Sequence, residues 1–186
     1  YKIKFVPRGG ASVLTVPYED LGATAGDAPD SVFSQSREMD TQLPAKTTVS
    51  YLDAAREYEV SEQSAARINT EAVNEEDVEL AIVLGADETA GIAEILQNRS
   101  WLERTSMSFT LPPTYLGLEP TDVITVDAKT AIHEIVIREI DYTEDGRLEI
   151  KGVPSNAAIY TPNASGGEGE LPPSTIGLPG PSLFVP

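Results

Sequence analysis

A chain of 186 residues is long enough for one good-sized domain or two small ones, and can bury about 70% of its unfolded surface unaided. It has no cysteine, which excludes disulfides, cysteine-ligated zinc and any iron–sulfur cluster held by its own thiolates. Thirteen basic against thirty acidic residues give a formal charge of −17; that field repels phosphate backbones and anionic membranes and argues against direct nucleic-acid binding.

The first residues carry neither a basic-then-apolar leader nor an initiator methionine. Tyr1-Lys2-Ile3-Lys4-Phe5 reads as the start of a strand, so the chain is expected to begin inside a longer polypeptide. Lys2–Val6 and Ser12–Val16 alternate and flank Arg8-Gly9-Gly10, a spacing that predicts a hairpin turning on residues tolerant of positive φ. Residues Pro17–Pro44 lose periodicity and collect Gly, Pro, Asp and Ser, which predicts a long connection.

Lys46–Leu52 is β-branched and alternating, a strand. Tyr58–Ile68 fits either a helical stripe or a strand, with extended structure favoured in its first half. Val78–Leu84 is a short apolar strand ended by Gly85, with Asn74-Glu75-Glu76-Asp77 as the turn before it. Asp87 is the expected N-cap of a helix running to about Arg104, roughly 25 Å long, with Glu88 complementing its dipole. Its apolar face is traced by Ala90, Ala93 and Leu96 with Ile92, Ile95, Arg99 and Leu102. No apolar run approaches the roughly 18–20 residues that cross a bilayer.

Thr105–Leu111 alternates as a strand that Pro112-Pro113 stops, and Leu118-Glu119-Pro120-Thr121-Asp122 turns into the strand Val123–Val126. Ile132–Tyr142 and Leu148–Val153 form the last hairpin. A two-residue Asp145-Gly146 loop would set Tyr142 opposite Glu149. A three-residue loop, with Gly146 left-handed, sets Tyr142 opposite Leu148 and Ile140 opposite Ile150. Matching apolar partners favours the three-residue loop, at the cost of Asp141 facing Glu149. From Pro154 the composition turns to Pro, Gly, Ser and Asn, as in a linker or an arm lying along a neighbour.

Chemistry is sparse. His133 is the lone histidine and sits within a strand, with no partner group in any motif. Arg8-Gly9-Gly10 lacks the lysine and helix of a phosphate loop. Neither Asn74–Asp77 nor Asp141–Glu149 has the alternating oxygens and central glycine of a calcium loop. Trp101 reads as a core anchor, with a partner or glycan contact as the alternative. The expected catalytic, cofactor-binding and metal-ligating residues are therefore none, and no cofactor is expected.

Three stretches taken in order carry a resemblance. They are Val49-Ser50-Tyr51-Leu52-Asp53-Ala54-Ala55-Arg56-Glu57-Tyr58-Glu59, then Val78–Leu84 with its Ala-rich helix to Trp101-Leu102-Glu103-Arg104, then Phe109-Thr110-Leu111-Pro112-Pro113 through Leu118–Val126. Over about Lys46–Val153 the chain resembles the putative phage tail protein family, found in the host specificity proteins of gene transfer agents and related phages. The family usually has glycine where Thr121 stands, and Asp-Tyr-Gln where Glu57-Tyr58-Glu59 stands.

The resemblance implies a non-enzymatic structural segment of a tail-tip (baseplate) hub in a virion or phage-like particle made in the bacterial cytoplasm. It implies a homotrimer around the tail axis, contacts with other tail-tip and distal tail proteins, and host contact through other domains of the full chain. The alternative is a receptor- or glycan-binding module of the same machinery. The fold class expected is α+β and β-rich, with antiparallel strands and hairpins, one long helix and a barrel-like hub domain. The divisions expected are 1–45 (hairpin and connection, closing a preceding subdomain), 46–153 (hub domain) and 154–186 (linker to a following domain).

Overall fold

The structure is a computed structural model describing residues 5–22 and 32–167. Among them run β1 (Leu14–Val16), β2 (Phe33–Arg37), β3 (Pro44–Asp53), β4 (Val60–Ala66), β5 (Asn74–Leu84), α1 (Ala86–Glu103), β6 (Thr105–Leu111), β7 (Val123–Asp127), β8 (Ile132–Tyr142) and β9 (Leu148–Pro154). A six-stranded sheet has the order β1-β7-β8-β9-β6-β2, and a three-stranded sheet the order β4-β3-β5. The fold is α+β and β-rich.

The last hairpin takes the register that its apolar pairs demand. Tyr142 faces Leu148, Ile140 faces Ile150 and Asp141 faces Glu149, while Gly146 sits at φ 82°. Thr143 N–H donates to Arg147 O at 3.0 Å, closing a three-residue loop. β6 has the expected bounds, and its Met107, Phe109 and Leu111 point into the core with Ile124, Ile135 and Ile150.

The large sheet coils on itself. Phe33 of β2 stacks on Phe109 at 5.8 Å and on His133 of β8 at 5.3 Å, although β9 and β6 lie between β2 and β8 in the sheet. The barrel-like closure does not follow: β1 and β2 end the sheet as its two edges, and no barrel closes among the described residues.

Nor are all strands antiparallel. β1 runs parallel to β7 (Leu14 opposite Ile124) and β3 parallel to β5. The N-terminal hairpin is thereby corrected. Phe5–Val13 carries no strand, Tyr1–Lys4 lies outside the described residues, and β1 takes its ladder from β7, which buries Val16 completely. The long connection also holds a strand: β2, polar at every position after Phe33, pairs antiparallel with β6. The ambiguous stretch becomes β4. Asn74–Asp77, expected as a turn, forms the first residues of β5.

The helix is capped two residues earlier than Asp87. Gly85 is the N-cap, and Glu88 reaches back to accept its N–H at 3.1 Å. Asp87 instead holds the C-terminal segment, accepting Gly166 N–H at 2.8 Å, while Glu94 accepts those of Asn163 and Ala164. Residues 162–167 therefore lie as a strap on α1, with Pro162 over Gly91. The buried face of α1 is Ala86, Thr89, Ala90, Ala93, Gln97 and Trp101, whereas Leu96 is only half-buried. The strap and the sheet share the helix, which spreads partial burial round its circumference.

Candidate functional site

The residues that sequence reading singled out are dispersed. His133 is half-buried at the coil of the large sheet, occupied by its ring stack. Trp101 is a core anchor: its indole N–H donates to Pro44 O at 2.8 Å, and Arg67 lies over its ring at 4.3 Å. That carbonyl is free because β3 bulges between Pro44 and Lys46. Gln97 also donates to it, at 2.9 Å, and accepts from Thr47 Oγ1 at 2.6 Å.

The acidic stretches have structural duties. Asn74–Asp77 lies on an edge strand, where charge discourages further pairing, and Lys46 approaches Glu75 at 3.9 Å. In the last hairpin Lys151 bridges Glu139 at 2.8 Å and Asp141 at 3.7 Å, offsetting the repulsion between Asp141 and Glu149. The Arg147 guanidinium, and then the Thr143 hydroxyl, hold the Asp145 carboxyl down to about 2. Among the described residues no three His, Cys, Asp or Glu side chains gather to hold a metal ion.

Two assemblies escaped the sequence reading. At the C-terminal end of α1, Glu103 accepts from Arg8 at 2.9 Å and Arg138 at 2.5 Å, with Arg99 at 4.0 Å. This carboxylate pins the N-terminal segment and the β8 bulge to the helix. Beside it opens a cleft of about 260 Å³ lined by Val6, Val13, Val123, Val136 and Ile137, with Arg8 and Arg138 at its polar side.

The second assembly is a polar recess of about 300 Å³ between the β3–β4 turn and the strap, lined by Tyr51, Asp53, Arg56, Ser61 and Gln63 among others. Asp53 is buried and accepts from Ala55 N–H at 2.9 Å and Ser61 Oγ at 3.3 Å. Gln63 donates to Gly167 O at 3.1 Å, which brings the strap to the wall. Tyr51, Asp53 and Arg56 all lie in the first stretch that carries the family resemblance. Only the pairing of β3 with β4 brings Ser61 and Gln63 beside them.

The opposite face of the small sheet is open. Leu52 lies between Val60 of β4 and Val83 of β5, which are 66% and 47% exposed. Glu62, Asp77 and Glu79 are exposed further along. Such an uncovered apolar row on a sheet is a surface suited to a partner.

The family model described as "putative phage tail protein" matches residues 1–140. Among solved structures, a chain of the virion of a native gene transfer agent (GTA) particle matches at TM-score 0.77 and 20% identity, over 87% of this chain and 36% of that one. The tail protein from Neisseria meningitidis MC58 matches at TM-score 0.49 and 14% identity, over 84% and 48%. The 43 kDa tail protein of prophage MuSo2 from Shewanella oneidensis matches at 0.49 and 15%, over 82% and 47%. No curated protein matches. At these identities the likeness bears on the fold alone, and the chain spans about a third of the gene transfer agent chain.

Proposed function

The chain belongs to the putative phage tail protein family, and on that premise we propose that it is a structural, non-catalytic segment of a tail-tip hub. The observation that carries the proposal is the fold match over 87% of this chain to about a third of one chain of a gene transfer agent virion. A segment that makes up part of a larger particle chain fits a modular hub better than a free-standing enzyme.

The surfaces support the same reading. The open face and edge of the small sheet, and the apolar cleft beside Arg8 and Arg138, offer area for neighbouring tail proteins. Such a hub would stand as three copies around the tail axis and bury interfaces typically above about 2,000 Å². The acidic charge of −17 suits a part that sits beside DNA without adhering to it.

Electron microscopy of purified particles, labelled with antibody raised against this chain, tests the proposal. Label at the distal end of the tail is expected, on disrupted particles if the hub is enclosed in intact ones. Absence of label from both would sink the tail-tip assignment. A second reading, a module that contacts host glycans, is favoured by the polar recess alone.

A further inference from the structure

We propose that the recess between the β3–β4 turn and the strap binds a neutral saccharide, one sugar unit at a time. Its volume of about 300 Å³ lies at the lower end of small-molecule pockets. Its wall is chemically mixed. Tyr51 is 2% exposed, and among the described residues its hydroxyl has no hydrogen-bond partner, a condition folded proteins rarely leave unmet. Arg56 Nε–H is likewise buried and unpartnered, whereas its terminal nitrogens are held by Ser61 at 3.3 Å and Glu59 at 3.1 Å. Each Asp53 oxygen accepts one bond from the protein, and a carboxylate oxygen has room for a second.

One recess is thus lined by a donor from Arg56, a donor-acceptor from Tyr51 and acceptors from Asp53. A vicinal pair of hydroxyls is the matching chemistry, since each hydroxyl donates once and accepts twice. An anion fits poorly, because Asp53, Glu59 and Glu62 surround the single guanidinium and the whole chain is acidic. This inference goes beyond assembly and does not depend on the position of the chain in a particle.

Titration of the isotope-labelled protein with glucose, galactose or N-acetylglucosamine, followed by nuclear magnetic resonance, tests it, with glucuronate as the anionic control. At least one neutral sugar should give saturable shifts confined to amides of residues 51–63 and Gly167. Tyr51→Phe should weaken that binding about 2–10-fold, the worth of one hydrogen bond, while melting at or above the parent temperature because it removes only an unmet hydroxyl. Arg56→Gln should weaken it further. No saturable shift with any of the three sugars, or binding unchanged by both substitutions, would overturn the proposal. Equal binding of glucuronate and glucose would overturn its neutral-ligand chemistry. A more stable Tyr51→Phe protein that accompanies no sugar binding would assign that hydroxyl to packing alone. Antibody labelling of tails is indifferent to all these outcomes, so the two readings fail separately.

Discussion

The two sheets are held together by different means. In the large one Ile124, Ile135, Ile137, Leu148 and Ile150 are all at most 1% exposed, and the core is a continuous apolar cluster. Between the small sheet and α1, buried Thr47, Asp53, Thr89 and Gln97 share the interface with apolar Val49, Tyr51, Ala93 and Trp101. Apolar burial is non-directional and scales with area. Hydrogen bonds such as Thr47–Gln97–Pro44 are directional and fix one seating of the helix. The large sheet therefore provides bulk stability, and the small sheet provides a specified geometry with one face left open.

Substitutions at each region put that contrast to the test. Trp101→Ala should cost about 3–5 kcal/mol by denaturant unfolding, as large buried aromatics do. Leu96→Ala, on the half-buried side of α1, should cost about 1 kcal/mol; equal losses would mean that the helix sits otherwise. Ile135→Ala in the large core should cost about 2–5 kcal/mol. Gln97→Leu keeps the volume but strands the Thr47 hydroxyl, and should cost about 1–3 kcal/mol. If it stabilises the protein instead, the polar bracket has no part in seating the helix.

A smaller effect of opposite sign is expected in the turn before β7. Thr121 sits at φ 86°, strained for a β-branched residue. Thr121→Gly should raise stability by about 0.5–1 kcal/mol, the relief of strain exceeding the entropy that glycine brings to the unfolded chain. A loss would show that the threonine side chain is needed there.

The smallest effect is one of pH. Tyr115 donates its phenolic proton to Asp20 at 2.5 Å, and that bond, with burial next, pushes its pKa up to about 12. The folded state then keeps a proton that the unfolded chain loses above about 10. The contribution is fully present below pH 10 and is lost as pH rises towards 12. Tyr115→Phe should flatten that part of the stability profile, measured as the difference from the parent protein; an unchanged slope would remove the Tyr115–Asp20 contact from the account of the large sheet.

What could be read along the chain was whatever local contacts decide. The β8–β9 register followed from the pairing of neighbouring side chains across one turn, β6 from its alternation, and α1 from its apolar spacing and acidic first turn. Family membership was legible for a related reason, since three ordered stretches carried it. The amino-acid order by itself therefore determined the last hairpin, the helix and the kinship. Tertiary structure alone decided the rest. β1 pairs with a strand more than a hundred residues away, β2 is a polar edge that no periodicity marks, and the acidic start of β5 is extended because β3 supplies its ladder. The Glu103 cluster and the recess draw on segments equally remote in sequence. Non-local pairing leaves no mark in a window of ten residues, because its stabilisation comes from partners that the chain meets only once it has folded.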